Sequence, residues 1–140
     1  MISQLKPEEA ARVLEADPTA VYLDVRTMEE YQAGHAGGAW NVPVVFFGPG
    51  RQPVPNEEFE RVVQAALPKE KKLVVGCQSG VRSMRACEIL QRLGFKDVSN
   101  LAGGFGGARD SGQIGWRDSG LPVESGNPAE RSYEELLRKA

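Results

Sequence analysis

Two short apolar runs limit what this chain can fold into more than any other feature. VYLDV at 21–25 and LVV at 73–75 have the length of strands, and continuous apolar runs of this kind are typical of strands buried on both faces of a sheet. A helical pattern follows each run, at 28–33 and at 81–93. Because strands that alternate with helices form parallel sheets, we predict an α/β fold with a central parallel sheet of about five strands and helices on both faces.

Local signals mark the ends of the other elements. Pro7 followed by two acidic residues is typical of a helix start. Thr27 and Glu30 fit a capping box, in which each side chain bonds the backbone amide of the other residue. Asn56 is a candidate cap for a helix that runs to about residue 66. Further expectations are strands within 39–42 and 96–101, a proline-rich loop at 43–55, and a last helix at about 129–139.

Length and charge narrow the possible functions. A chain of 140 residues fits one domain, which we place at 1–125, with a helical tail at 126–140 that packs on it or extends it. The net charge of -2 and the pI near 5.5 argue against a nucleic-acid binder. No stretch approaches the roughly 18 apolar residues of a membrane span, and no signal peptide is recognisable. We therefore expect a cytoplasmic protein that binds neither nucleic acid nor membrane.

Cysteine and histidine are scarce. Two cysteines and one histidine are too few, at the wrong spacings, for a zinc site or a disulfide framework. We expect two free thiols, no metal and no cofactor. Cys87 shares an apolar stripe with Met84 and Leu90, so we expect it to fill the core.

The segment GCQSGVRS at 76–83 has the strongest functional signal. Cys77 follows a buried strand directly, and open parallel sheets bind ligands outside the carboxyl ends of their strands. The amides of a tight strand-to-helix loop can converge on an anion, and the following helix adds its own unpaired amides. A thiol in this position is favoured as the thiolate, which is the reactive form. Cys77 is the candidate catalytic residue, although cysteine at a strand end is also a common core residue.

The rest of this segment is the candidate substrate-binding loop. Gly80 permits a backbone turn that a Cβ would resist. Arg82 offers a guanidinium to a bound oxyanion, and Ser83 adds a hydroxyl donor. The alternative is that Arg82 is a solvated charge on the helix. The predicted substrate-binding residues are Gln78, Ser79, Gly80, Val81, Arg82 and Ser83.

Four segments together resemble the rhodanese-like sulfurtransferase superfamily, and in particular a single-domain rhodanese. They are LDVR at 23–26 with EY at 30–31, the stretch at 34–43 that begins with a Gly-His turn, the loop at 77–83, and NLAGG at 100–104 with GLPV at 120–123. The resemblance implies that Cys77 takes the outer sulfur of a donor such as thiosulfate and holds it as a persulfide. A thiophilic acceptor, either cyanide or a thiol, then takes the sulfur. We expect these small molecules as partners and a monomer or weak homodimer.

Two alternatives use the same loop. Tyrosine-type and cell-cycle phosphatases also place a cysteine and an arginine around an anion, but their signature has five residues between the two. Four residues lie between Cys77 and Arg82 here, which matches the sulfurtransferase length. Other rhodanese-like domains are non-enzymatic sulfur-relay or binding modules, often without the cysteine that this chain retains.

Residues outside the loop receive supporting roles. Asp24 and Arg26 share one face of their strand because side chains alternate, and the resemblance places them near the site as a supporting ion pair. His35 belongs to the family's structural Gly-His turn, which reads GHAGGA here in place of Gly-His-Ile-Pro-Gly-Ala. We do not expect His35 to act as a base. The polar insert at 108–113 is expected to form a rim loop.

Overall fold

A computed structural model describes residues 2–140, and a parallel sheet lies at its centre. In chain order, the strands of this part of the chain are β1 (Ser3–Leu5), β2 (Val21–Asp24), β3 (His35–Ala36), β4 (Trp40–Asn41), β5 (Val45–Phe47), β6 (Pro53–Pro55), β7 (Lys72–Gly76), β8 (Asp97–Leu101) and β9 (Val123–Glu124). The α-helices are α1 (Pro7–Ala16), α2 (Met28–Ala33), α3 (Phe59–Ala66), α4 (Val81–Arg92) and α5 (Tyr133–Lys139).

The central sheet has five parallel strands in the order β1-β8-β7-β2-β4, which confirms the predicted architecture. The sequence prediction missed β1. This edge strand of three residues pairs with β8, with Ser3 opposite Ser99 and Leu5 opposite Leu101. Three residues are too few to show a period of two, so no local pattern marks this strand.

Side-chain alternation along the strands produces two apolar cores. In β2, Val21 and Leu23 belong to a core shared with α3, α4 and α5, whereas Tyr22 belongs to a second core shared with α1 and α2. The side chains of β7 divide in the same way. Helices therefore cover both faces of the sheet, because strands with continuous apolar runs have apolar side chains on both sides.

The capping box at the start of α2 is present. The Glu30 amide lies 3.3 Å from Thr27 Oγ1, and the Thr27 amide lies 3.1 Å from the Glu30 carboxylate. Each side chain thus satisfies one of the amides that a helix start leaves unpaired.

Two helices begin later than the sequence predicts. Asn56 Oδ1 accepts from the Glu58 amide at 3.0 Å in a turn, and α3 begins only after that turn, at Phe59. α5 begins at Tyr133 rather than near residue 129, because the amides of residues 131 and 132 bond the Pro128 carbonyl and close a separate turn.

The proline-rich segment at 43–55 is not the long loop that the sequence predicts. β5 and β6 form a two-stranded antiparallel hairpin, with Val45 opposite Pro55 and Phe47 opposite Pro53. Proline lacks an amide donor, but it is tolerated in an edge strand, which pairs on one side only. The hairpin places the Phe47 ring beside Arg82 near the start of α4.

Residues 126–140 pack against the α3 side of the sheet. Tyr133 and Leu136 of α5 lie in the same apolar core as α3. The Tyr133 hydroxyl lies 3.1 Å from Asn56 Nδ2, which joins α5 to the turn before α3. Just before this segment, β9 pairs antiparallel with β3.

Candidate active site

Cys77 is the first residue after β7, at the carboxyl end of a central strand of the sheet. Its side chain is only 1% exposed and packs in the core on the α3, α4 and α5 face. The sulfur accepts a hydrogen bond from the Gly80 amide across 3.0 Å. Gly80 reaches this geometry at a φ of 109°, in the left-handed region that favours glycine. The loop thus points a backbone N–H donor at the sulfur.

A glycine-rich segment after β8 holds the Cys77 loop from its other side. The Phe105 amide donates to the Cys77 carbonyl at 2.7 Å, and the Gly106 amide donates to the Gln78 carbonyl at 2.9 Å. A Cβ on Gly104 would overlap the Cys77 carbonyl oxygen and lie 2.7 Å from the Gln78 carbonyl carbon. The segment therefore needs glycine for close backbone contact, a role that the sequence prediction missed.

The polar insert at 108–113 forms a tight turn. Ala108 and Gln113 pair as an antiparallel bridge, in which the Ala108 amide donates to the Gln113 carbonyl at 2.9 Å. The Ser111 hydroxyl also donates to the Ala108 carbonyl, at 3.4 Å. The insert therefore folds back on itself. Residues 109–112 are exposed to solvent, and residues 108 and 113 are partly exposed.

A buried ion pair braces the Cys77 loop. Arg26 Nη2 lies 2.7 Å from Asp24 Oδ2, and both side chains are almost fully buried. The same guanidinium donates to Gln78 Oε1 at 3.2 Å and to the Gly34 carbonyl at 2.7 Å. Burial works to lower the pKa of Arg26, but hydrogen bonds and charge from Asp24 outweigh it and hold that pKa above its ordinary value. Arg26 therefore ties the end of β2 to the loop.

Arg82 forms a bidentate ion pair with Glu30, with N–O distances of 2.7 and 2.9 Å. Its guanidinium also lies over the Phe47 ring, 5.2 Å from the ring centre. The sequence prediction gave Glu30 a capping role only and placed Arg82 over a bound oxyanion, whereas the structure pairs the two side chains. Burial works to raise the pKa of Glu30, but hydrogen bonds from Arg82 and Thr27 lower it to about 2.

The other predicted loop residues differ in accessibility. Val81 is 77% exposed, Ser79 is exposed, and Gln78 is half-buried. Ser83 is fully buried, and its hydroxyl donates to Asn100 Oδ1 at 2.5 Å. Ser83 therefore anchors α4 to β8, and the structure differs here from the predicted hydroxyl donor to substrate.

A cleft of about 480 Å³ lies beside the loop. Its lining includes Arg26, Glu30, Gln78, Phe105 and Arg117. Concave sites with a few polar groups and an aromatic wall are typical of small-molecule binding. The two ion pairs and the cleft thus meet at one edge of the sheet, next to the loop that contains the thiol.

Cys87 and His35 lie in the core. Cys87 is fully buried on α4, and burial raises the pKa of its thiol to about 12. His35 is also fully buried, with Nδ1 2.6 Å from the Tyr31 carbonyl oxygen and Nε2 3.1 Å from Glu124 Oε1. His35 therefore joins the turn after α2 to β9, as a structural residue.

The residues described, 2–140, show neither a metal centre nor a membrane span. Within this range, no three His, Cys, Asp or Glu side chains lie close enough together to hold a metal ion. No helix in the same part of the chain is long and apolar enough to cross a bilayer. Both cysteines are free thiols.

The family model of the rhodanese-like domain matches residues 6–110, which include β2, β7, the Cys77 loop and β8. The chain belongs to the rhodanese-like family. This confirms the resemblance that the sequence motifs show.

Rhodanese-like relatives and solved structures agree on the family. Senescence-associated protein DIN1 of Raphanus sativus is 36% identical over 128 residues, which cover 84% of this chain and 64% of that protein. Thiosulfate sulfurtransferase 16, chloroplastic, of Arabidopsis thaliana is 38% identical over 104 residues, which cover 74% of this chain and 79% of that protein. The crystal structure of Rv0390 from M. tuberculosis has a TM-score of 0.75 and 26% identity, with 89% of this chain and 98% of that chain covered.

Proposed function

We propose that this rhodanese-like protein is a sulfurtransferase that holds sulfane sulfur as a persulfide on Cys77. The observation that carries the proposal is the Gly80 N–H aimed at Cys77 Sγ across 3.0 Å, at the carboxyl end of β7. Further support comes from the relative at 38% identity named as a thiosulfate sulfurtransferase.

The proposed reaction has two displacement steps at sulfur. The Cys77 thiolate attacks the outer sulfur of thiosulfate, the bond between the two donor sulfurs breaks, and sulfite leaves with its electron pair. The loop amides stabilise the terminal sulfur of the persulfide. An acceptor thiolate or cyanide then attacks that outer sulfur and releases the Cys77 thiolate. Neither step needs a metal or an organic cofactor.

A phosphatase reaction is the less favoured candidate. Only four residues separate Cys77 from Arg82, and the Arg82 guanidinium is already paired with Glu30. An arginine whose guanidinium is already paired with a carboxylate is poorly placed to bind a phosphate in the loop. A module that only binds a partner would not need a thiol at this strand end, whereas this chain has Cys77 there.

Intact-mass measurement after incubation with thiosulfate tests the proposal. We expect the protein to gain the mass of one sulfur atom, and cyanide to remove it with formation of thiocyanate. Cys77→Ala should gain nothing, whereas the matched variant Cys87→Ala should gain sulfur as the unmodified chain does. No adduct, together with turnover of an aryl phosphate, would favour the phosphatase.

Location, partners and assembly stay sequence-based predictions. We infer a cytoplasmic monomer or weak homodimer that takes sulfur from a small-molecule donor. Rhodanese-like relatives include proteins named as chloroplastic and mitochondrial, so fractionation of cells that express the tagged chain is the relevant measurement.

A further inference from the structure

Two arginines lie at the Cys77 loop, Arg26 beside it and Arg82 within it, and each is paired with a carboxylate. Arg26, which bonds Gln78, is paired with Asp24 at 2.7 Å. Arg82, at the start of α4, is paired with Glu30 at 2.7 Å. The two pairs together add no net charge at the Cys77 loop. Attraction for a donor with two negative charges is therefore weaker than the arginine content of the site suggests.

The Glu30 carboxylate is fixed at this position. In addition to Arg82, it accepts from the Thr27 amide and the Thr27 hydroxyl, both at 3.1 Å. The Phe47 ring lies beside the Arg82 guanidinium, 5.2 Å from it, and limits where the Arg82 side chain can move. An anionic donor that approaches Arg82 must compete with a carboxylate held by three groups.

Two further arginines near the site are more exposed to solvent than Arg26 and Arg82. Arg117 lines the cleft, is half exposed and lies 3.4 Å from Asp118. Arg51 lies over the Phe47 ring at 5.1 Å, on the hairpin. Solvent screens such exposed charges strongly. The Arg82–Glu30 pair is therefore less screened than these exposed charges, and within it the Glu30 carboxylate offsets the attraction of Arg82 for an incoming anion.

We propose that Glu30 makes the Cys77 site discriminate against dianionic sulfur donors and favour sulfane-sulfur donors with at most one negative charge, namely thiosulfonates and hydropersulfides. This inference rests on the proposed sulfurtransferase function. Repulsion by the Glu30 carboxylate increases with the charge of the donor, so thiosulfate is penalised more than a monoanion of the same shape.

The chemistry is balanced for each donor class. With a thiosulfonate, R–SO₂–S⁻, the Cys77 thiolate attacks the terminal sulfur, the bond to the sulfonyl sulfur breaks, and the sulfinate R–SO₂⁻ leaves with the electron pair. With a hydropersulfide, R–S–SH, the same attack releases the thiolate R–S⁻ and leaves a protonated persulfide on Cys77. The transferred sulfur keeps its oxidation state, so no external oxidant or reductant is needed.

Two donors of matched shape provide the test. Methanethiosulfonate differs from thiosulfate by a methyl group in place of one charged oxygen. We would measure the rate of sulfur addition to Cys77 by intact mass for both donors, in the unmodified chain, in Glu30→Gln and in Glu29→Gln. Gln at position 30 keeps the capping box. Glu29 is an exposed neighbour, so its substitution is a matched control for loss of one charge.

The ratio of the thiosulfate rate to the methanethiosulfonate rate should rise roughly tenfold in Glu30→Gln, because one unit of charge repulsion is removed in a partly buried site. The ratio should stay unchanged in Glu29→Gln. Intrinsic donor reactivity cancels in this comparison. A second variant, Arg82→Gln, leaves the Glu30 carboxylate without its cation and should lower the ratio.

The possible outcomes separate the two proposals. If Cys77 accepts sulfur from either donor but the ratio is the same in the unmodified chain, Glu30→Gln and Arg82→Gln, the role of Glu30 is overturned and the sulfurtransferase proposal stands. If neither donor adds sulfur to Cys77 in the unmodified chain, the sulfurtransferase proposal fails, and this inference fails with it.

Discussion

Arg26 Nη1 donates a hydrogen bond to Gln78 Oε1 across 3.2 Å, although 52 residues separate the two in the chain. This contact joins the end of β2 to the loop that contains the proposed nucleophile. Because the same guanidinium is held by Asp24 and by the Gly34 carbonyl, the position of the loop depends on a buried ion pair.

Arg26→Met should destabilise the protein strongly, because it leaves the Asp24 carboxylate buried without its partner. Breaking one side of a buried pair costs about 3–5 kcal/mol, and urea denaturation measures this loss in the free energy of unfolding. Asp24→Asn combined with Arg26→Met should recover part of it. Arg92→Met, which removes one side of an exposed pair with Glu60, should cost less than about 1 kcal/mol. Equal losses in Arg26→Met and Arg92→Met would contradict the bracing role.

Gly104→Ala should disturb the active loop more than Gly112→Ala does. Both glycines have positive φ values, 60° and 72°, and alanine at such a position costs about 1–2 kcal/mol. A Cβ at Gly104 would in addition overlap the Cys77 carbonyl, whereas a Cβ at Gly112 meets nothing within 4 Å. We expect Gly104→Ala to lower the free energy of unfolding more than Gly112→Ala does. We expect slower sulfur loading of Cys77 in Gly104→Ala but not in Gly112→Ala. Similar results for both variants would show that the contact with Cys77 is unimportant.

The sequence predicts those parts of the site that depend on local signals. Cys77 follows an apolar run, and Thr27 and Glu30 lie three residues apart, so both features can be read from a short window. The long-range contacts show no such signal. Arg82 and Glu30 are 52 residues apart, and only the pairing of β2 with β7, whose carboxyl ends lead to α2 and α4, brings them together. Considered alone, Glu30 is explained by its capping box and Arg82 by the anion site predicted for the loop. The sequence therefore gives no reason to pair them, and the prediction missed the pair.

The hairpin and the buried serine show the same limit. Four prolines in 43–55 indicate a loop, yet prolines are compatible with an edge strand, and the pairing of β5 with β6 depends on register. Ser83 follows Arg82 directly, but the helical turn points its side chain at Asn100 and away from the loop. The direction in which a side chain points from a helix axis depends on the residue at which the helix begins. The sequence locates that residue only approximately.

Stability should depend on pH through Glu30. Although burial works to raise it, hydrogen bonds from Arg82 and Thr27 lower the pKa of Glu30 from 4.5 to about 2. The ionised carboxylate therefore stabilises the folded state above pH 4.5, and this contribution is lost as the pH falls towards about 2. Its size is roughly 2 kcal/mol after allowance for partial solvent screening.

Comparison of the unmodified chain with Glu30→Gln isolates this effect. The difference between their free energies of unfolding should be largest near neutral pH and should shrink as the pH falls from 4.5 towards about 2. Urea denaturation at several pH values in this window measures it. A difference that stays constant across the window would mean that the ionised Glu30 does not stabilise the fold.

Alkylation should distinguish the two cysteines in the native protein. Both thiols are buried, with 1% of Cys77 and 0% of Cys87 exposed. Cys87 lies on α4, and burial raises the pKa of its thiol to about 12, so it is a poor source of thiolate. Cys77 instead lies in the loop at the carboxyl end of β7, where its sulfur accepts a hydrogen bond from the Gly80 N–H. We expect iodoacetamide to add one group to the native chain, at Cys77, and two groups in urea, as measured by intact mass and peptide mapping. Cys77→Ala should take none when native and one when unfolded. Labelling of Cys87 in the native state would contradict its assignment to the core.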